Sequence, residues 1–305
     1  YQATTDGERT KFLSDIQEKI TIYTSSLIFF NLELNRLPHG HLDGLYSKND
    51  DLHRYKPVLD KIRALQPYQL SDELEKFLHE MGIVGDAWEK LFDETIAGLE
   101  FSLDDQILNL ESTLNLLTDH DRSKRKAGAQ EIAKIFSKNL KIFARIHNTQ
   151  AKEKEIIDKW RGMPSAQFGR HLANDVEPEV VEALRNAVVA SYPDLSHRYY
   201  ELKRKWMGLD HLEIWDRNAP LPMESNQTIA WSDAQTLVLD AYSGFDPRME
   251  ELAKPFFSKG WIDAAVKPGK APGAFAHPTV TNVHPYIMLN YLGTVSYTHL
   301  RAHET

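Results

Sequence analysis

The sequence predicts a mostly α-helical fold with a small antiparallel β hairpin near its C-terminal end. Three observations carry this expectation. Apolar residues recur at spacings of three and four through most of the chain. Residues that favour helix starts stand before these runs, and Pro or Gly follows them. Only after Pro268-Gly269 does the text become short, aromatic and bounded by Pro and Gly, as two strands joined by a turn would be.

The elements follow in order. Residues 8–36 read as one helix, with Phe12, Ile16, Ile20, Tyr23, Leu27, Phe30 and Leu34 forming a single apolar stripe that Pro38 and Gly40 end. A second helical pattern, 48–66, carries Leu52, Tyr55, Leu59, Ile62 and Leu65, with a kink or later start at Pro57. Ser71 reads as a cap, because Asp72 and Glu73 follow it where a helix dipole favours acids. A further helix from Asp86 shows Trp88, Leu91, Phe92, Thr95, Ile96 and Leu99 on one face. The leucines of 103–117 fit neither period, and the main domain boundary is set here, at residue 102.

Asp119-His120-Asp121 caps the longest predicted helix, 121–160. Its charged residues Arg122, Lys124, Arg125 and Lys126 read as a solvated face. Glu177-Pro178, Pro193, Ser232 and Asp246-Pro247 each open a later helix. Ile214-Trp215-Asp216 reads as a short strand. Gly273 to Ala276 and Tyr286 to Tyr291 are the two strands of the hairpin. No repeat at a period of about 20–50 residues argues for a solenoid.

Composition excludes several classes. The 305 residues are 42% hydrophobic and 26% charged, as in an ordinary globular protein, and the net charge of −8 makes nucleic acid an unexpected partner. Without cysteine there is no disulfide, no thiolate metal site and no Cys nucleophile. Apolar runs such as Leu27 to Phe30 fall far short of the about 20 residues a membrane span needs. No basic region followed by an apolar run opens the sequence. A cytoplasmic location, with no membrane partner, is the expectation.

Several separated blocks carry a resemblance. NLKIFARIHNT, KEKEIIDKWR, RHLANDVEPEVVEALRNAVVASYPDLSHRYYELKRKW, WDRNAPLP, AYSGFDPRM, PFFSKGWIDAAVKPGKAPGAFAHPT and HPYIMLNYLGT occur in this order between Asn139 and Thr294. Together they resemble the oligoendopeptidase F family, in the clan of thimet oligopeptidase. The resemblance implies a bilobed, helical zinc metalloendopeptidase that hydrolyses short oligopeptides in an enclosed cleft. Its metal site is a helix bearing His-Glu-x-x-His, whose two His bind zinc while the Glu activates water. On this reading residues 1–102 form the helical N-terminal lobe and 103–294 the N-terminal part of the catalytic domain. The partners would be short peptides.

The last eleven residues, Val295–Thr305, read VSYTHLRAHET. They are the in-frame translation of a DNA string that resembles a transposon-end adapter from sequencing-library preparation. The expectation is an adapter-derived tail, with the family pattern cut before its zinc-binding helix. His303-Glu304 falls in the register of the motif pair, and His299 lies four residues before His303. No second motif His follows, so no metal ligand and no catalytic residue is assigned. Zinc belongs to the parent protein, and none is expected in the fragment, which is expected to be inactive.

The family's cleft-edge strand corresponds to Gly273, Ala274, Phe275 and Ala276, which the resemblance makes the substrate-binding residues. Gly in that segment lets a peptide backbone approach closely. Other groups read more plainly. His277 and His284, each before Pro, are turn residues rather than a metal pair. Trp160, Trp206, Trp215, Trp231 and Trp261 are packing residues, and Asp216-Arg217 is a surface ion pair. Gly269-Lys270 lacks the glycines and the Ser or Thr of a phosphate loop. The competing class is a non-catalytic helical interaction module.

Overall fold

A computed structural model of the chain describes residues 6–38, 40–222, 228–280 and 282–293. The fold is mostly helical, at 67%, with a small antiparallel pairing near the C-terminal end. The chain divides into two compact units. One comprises Lys11–Phe92 and Lys141–His197; the other comprises Asp93–Leu140, the described residues from Arg198 on and those through Thr10. Among the described residues no helix is long and apolar enough to cross a membrane.

The first predicted helix is two helices, Gly7–Ser25 and Ile28–Arg36, which from Lys11 on belong to the unit built from Lys11–Phe92 and Lys141–His197. The expected apolar stripe is not the packed face. Phe12, Ile20, Tyr23, Leu27 and Phe30 are all more than half exposed. Leu32 is buried, and polar contacts are made besides: Thr24 Oγ1 lies 2.9 Å from His79 Nε2, and the Ser25 hydroxyl donates to Glu80 Oε1 at 2.9 Å. The predicted 48–66 helix is broken into Asp50–Arg54, Lys56–Arg63 and a 3-10 turn, Gln66–Tyr68. Pro57 stands in the first turn of the middle piece, where its missing N–H costs nothing.

Helix Asp72–Ala97 begins at the predicted Ser71 cap, so the start expected at Asp86 lies well inside it. Ser71 Oγ accepts from the Leu74 amide at 3.4 Å. Glu75, in its first turn, is gripped in bidentate fashion by Arg161 at 2.6 and 2.8 Å. Burial alone would raise this carboxyl, but the Arg161 guanidinium and the Leu70 amide outweigh it and hold the pKa below the usual value. Phe92 and Phe143 meet edge to face at 5.7 Å. Helix Pro178–Ser191 starts at Pro178 as expected.

The other unit opens with a hairpin, β1 (Phe101–Leu103) paired antiparallel with β2 (Gln106–Leu108). Asp104 and Asp105 turn it with positive φ. Phe101, fully buried, fixes it to the core. A short helix, Leu110–Asn115, follows, capped by Asn109 through the Ser112 amide. The long helix is Arg122–Arg161, 40 residues, with Asp121 accepting from the Ser123 amide at its start. Its second half belongs to the first-described unit.

Two expectations fail beyond it. Ile214–Asp216 is a 3-10 turn, not a strand. Glu213 and Asp216 cap each other's backbone amides reciprocally, which closes a turn where an extended segment was expected. Ser232 does not cap its helix, which runs Trp231–Phe245 from Ala230. Asp246 does cap the next, Pro247–Ser258, by accepting from the Arg248 amide at 2.9 Å. A three-stranded sheet then forms from β3 (Ile262–Asp263), β4 (Phe275–His277) and β5 (Tyr286–Met288). Its order is β3-β5-β4, with β3 parallel and β4 antiparallel to β5.

Candidate functional site

The sheet places β4 at an edge. Ile287 and Leu289 donate their amides to the Trp261 and Asp263 carbonyls, both at 2.9 Å, and so face β3. Alternation then turns Tyr286 and Met288 toward β4, where they oppose His277 and Phe275. Ala276, between those two, directs its N–H and C=O away from β5. Among the described residues β4 has no strand partner on that side.

Of the four residues expected to form the site, Phe275 and Ala276 are in β4, Ala274 leads into it, and Gly273 is the bend before it. Gly273 has φ 92°, a conformation that a side chain would strain. Both of its backbone polar groups are held. Its N–H donates to Glu111 Oε2 at 3.1 Å, and its carbonyl accepts from Asn290 Nδ2 at 3.0 Å. The same Asn290 amide donates to the Ala271 carbonyl at 3.0 Å. Glu111 and Asn290 are both buried.

Lys270 completes the arrangement. Its side chain is fully buried, and its ammonium donates to the carbonyls of Asp263, Ala265 and Leu289 at 3.1, 2.7 and 2.8 Å. Asp263 Oδ1 lies 3.3 Å away. Burial pushes the Lys270 pKa down, and the Asp263 charge opposes that shift without cancelling it. Sequence reasoning missed Glu111, Lys270 and Asn290. Glu111 is 162 residues from Gly273 in the chain, so no local pattern joins them. Lys270 and Asn290 lie inside the resembling blocks, and that is the one signal they carry.

The aromatic face beside the sheet is also ordered. Trp261 and His284 stack with centroids 3.4 Å apart, and His284 meets Tyr286 edge to face. His284 Nδ1 lies 3.1 Å from the Pro285 carbonyl, and His277 is exposed at the end of β4. Among the described residues no three His, Asp or Glu side chains gather where a metal ion could be held. They do not fit a zinc centre, which needs about three protein ligands on one ion. His299, His303 and the whole of Val295–Thr305 lie outside the described residues.

A second cluster corrects the sequence reading. Asp216 is fully buried and does not form a surface pair with Arg217. It accepts from Arg122 Nε and Nη2 at 3.1 and 2.8 Å, from Arg125 Nη2 at 2.9 Å and from the Glu213 amide at 3.0 Å. Burial would raise its pKa, yet these donors hold it at about 2. Arg125, read as part of a solvated face, is 2% exposed and also donates to the Asp119 and His120 carbonyls. A surface pocket of about 330 Å³ lies beside this cluster, lined by Arg122, Ser123, Lys126, His211, Glu213 and Trp215. It contains none of the residues around Gly273.

Residues 33–101 match the family described as Oligopeptidase F. The chain is 24% identical over 311 residues to the group B oligopeptidase PepB of Streptococcus agalactiae serotype III (strain NEM316), covering 100% of this chain and 51% of that protein. It is 22% identical over 279 residues to the oligopeptidase PepF of Bacillus subtilis (strain 168), covering 89% of this chain and 41% of that one. It thus spans about half the length of the curated relatives it matches. The fold is similar to PZ peptidase A with a bound inhibitor, at a TM-score of 0.79 and 16% identity, over 99% of this chain and 52% of that one. It is similar also to oligoendopeptidase-F from Enterococcus faecium, at a TM-score of 0.65 and 20% identity, over 84% of this chain and 55% of that one.

Proposed function

We propose that this chain, which belongs to the oligoendopeptidase F family, is the part of an oligopeptidase that holds a short peptide in extended form along β4. The observation that carries this reading is the edge itself. The Ala276 backbone faces away from β5, and the segment before it is pinned through both the N–H and the C=O of Gly273. A substrate laid along that edge would exchange N–H···O=C bonds with it, as an added strand does. Main-chain bonding is indifferent to side-chain identity, which suits a peptidase acting on varied short peptides. Gly273, Ala274 and Ala276 carry little bulk, so the approaching backbone meets no large side chain from them.

The reaction is read as hydrolysis of oligopeptides, which the names of the relatives support. Zinc is the metal we assign to that reaction in the parent protein. When bound, it would polarise the scissile carbonyl and acidify a water molecule. On this reading the chain as given binds peptide and leaves it uncleaved.

The test is a titration of the chain with a fluorescently labelled eight-residue peptide, read by anisotropy, beside the same peptide N-methylated at alternate residues. Saturable binding that N-methylation abolishes is the expected result. Binding by neither peptide, or equal binding by both, overturns the proposal.

A further inference from the structure

We infer that Lys270 is a positioning residue for the β4 edge, acting with Asn290 to fix the geometry that a peptide meets. The inference rests on the reading of β4 as the peptide edge and adds the device that preforms it.

The two side chains tie one loop to one sheet end in opposite directions. Lys270 sits in the loop between β3 and β4 and bonds the carbonyls of Asp263, at the end of β3, and Leu289, just after β5. Asn290 follows β5 and bonds the carbonyls of Ala271 and Gly273 in that same loop. β3 and β5 are parallel, so their last carbonyls lie at one end of the sheet, where Lys270 reaches both. Its third bond, to Ala265, closes the loop's start. All three donors of the ammonium are thereby used on main-chain carbonyls.

A structural staple could have been apolar. Burying a lysine costs free energy unless every donor is satisfied, and hydrophobic replacements of buried charges are often more stable. The ammonium instead gives direction. It sets where the loop leaves β3 and therefore where Gly273 turns into β4. With the Gly273 N–H on Glu111 and its carbonyl on Asn290, the residue entering the edge is fixed before any peptide arrives. A preordered edge spares the ordering entropy that a mobile strand would lose on pairing.

The experiment compares the full chain with Lys270→Met, which keeps the unbranched stem and removes the ammonium, and with Asn290→Ala. Two quantities are read. Amide exchange at Gly273, Phe275 and His277 reports the edge, with helices Trp231–Phe245 and Pro247–Ser258 as internal controls. Anisotropy reports affinity for the labelled peptide. Exchange about tenfold faster at the edge alone, with affinity about tenfold weaker, is expected in both variants. Unchanged edge exchange in a folded variant overturns the inference. So does faster exchange with unchanged affinity, which leaves the edge reading standing. If the unaltered chain binds no peptide, the edge reading itself falls and takes the inference with it. Should Lys270→Met not fold, Asn290→Ala carries the same two readouts.

Discussion

Replacing Asp216 with Asn tests the buried cluster, because it keeps the shape while removing the charge and turning one of the two acceptor oxygens into a donor. The native carboxyl is fully buried and held at about 2, against an ordinary value of 3.8. A shift of that size corresponds to roughly 2 kcal/mol of folding stability at neutral pH. The substitution also leaves Arg125, 2% exposed, without its anion. An uncompensated buried charge costs about 3–5 kcal/mol, but Arg122, whose side chain is 40% exposed, can turn toward water. The expected loss is therefore about 3 kcal/mol at neutral pH. Its pH dependence has a definite sign. A carboxyl with a lowered folded pKa stabilises above its unfolded pKa, and that contribution is lost as pH falls toward the folded value. The gap between native and variant should thus narrow by about 1 kcal/mol at about pH 3. Urea unfolding at the two pH values measures it. A loss below about 1 kcal/mol, or a gap equal at both pH values, would refute the assignment of Asp216 as the ionised centre of the cluster.

Three further substitutions follow from the same physics. Arg161→Met removes the bidentate partner of Glu75, so stability should fall by about 2 kcal/mol and the Glu75 pKa should move up, because the Leu70 amide alone then opposes burial; an NMR titration in which Glu75 stays low counts against this. Gly82→Ala, on the exposed side of helix Asp72–Ala97 with nothing within 4 Å of an added Cβ, should raise stability by about 1 kcal/mol, and a lowered melting temperature would contradict it. Gly273→Val places a β-branched residue at φ 92° and should cost about 1–2 kcal/mol together with peptide affinity. Unchanged melting and binding would show that the bend is not needed.

How much of this was legible in the sequence depends on the range of each cause. Helix starts at Glu177-Pro178 and Asp246-Pro247 were readable, because proline at a first helical position and an aspartate cap act within a few residues. The hairpin near the C-terminal end was readable from its aromatic, Pro- and Gly-bounded text. β3 has only two residues, too few to show a period, and it pairs with a strand more than twenty residues later. The stripe from Phe12 to Leu34 was a true period but a poor guide, since most of it is exposed while Ser25 and Leu32, off the stripe, are buried. Ile214-Trp215-Asp216 looked extended because the reciprocal cap that folds it depends on Glu213, just outside the apolar run. Arg122 and Arg125, three apart on one helix, meet an aspartate more than ninety residues away, and no local pattern marks that pairing.

The residues most badly read were the buried cations, and one physical demand explains them. Irregular chain leaves carbonyls without ladder or helix partners, and a buried carbonyl needs a donor. A long basic side chain can supply several donors at once from a distance. Arg125 bonds the Asp119 and His120 carbonyls before the long helix, Lys203 bonds that of Arg217 after the 3-10 turn, and Lys270 bonds three around the sheet. Each of the three is at least 95% buried. Each serves a segment that turns rather than repeats, which is where the chain departs from the regular geometry that periodicity detects. In a sequence these residues are indistinguishable from the lysines and arginines of a wet helix face, because the distinguishing feature is the partner's geometry. The same demand bears on the candidate site: the loop that Lys270 and Asn290 supply with donors is the one that delivers Gly273 to the edge strand β4.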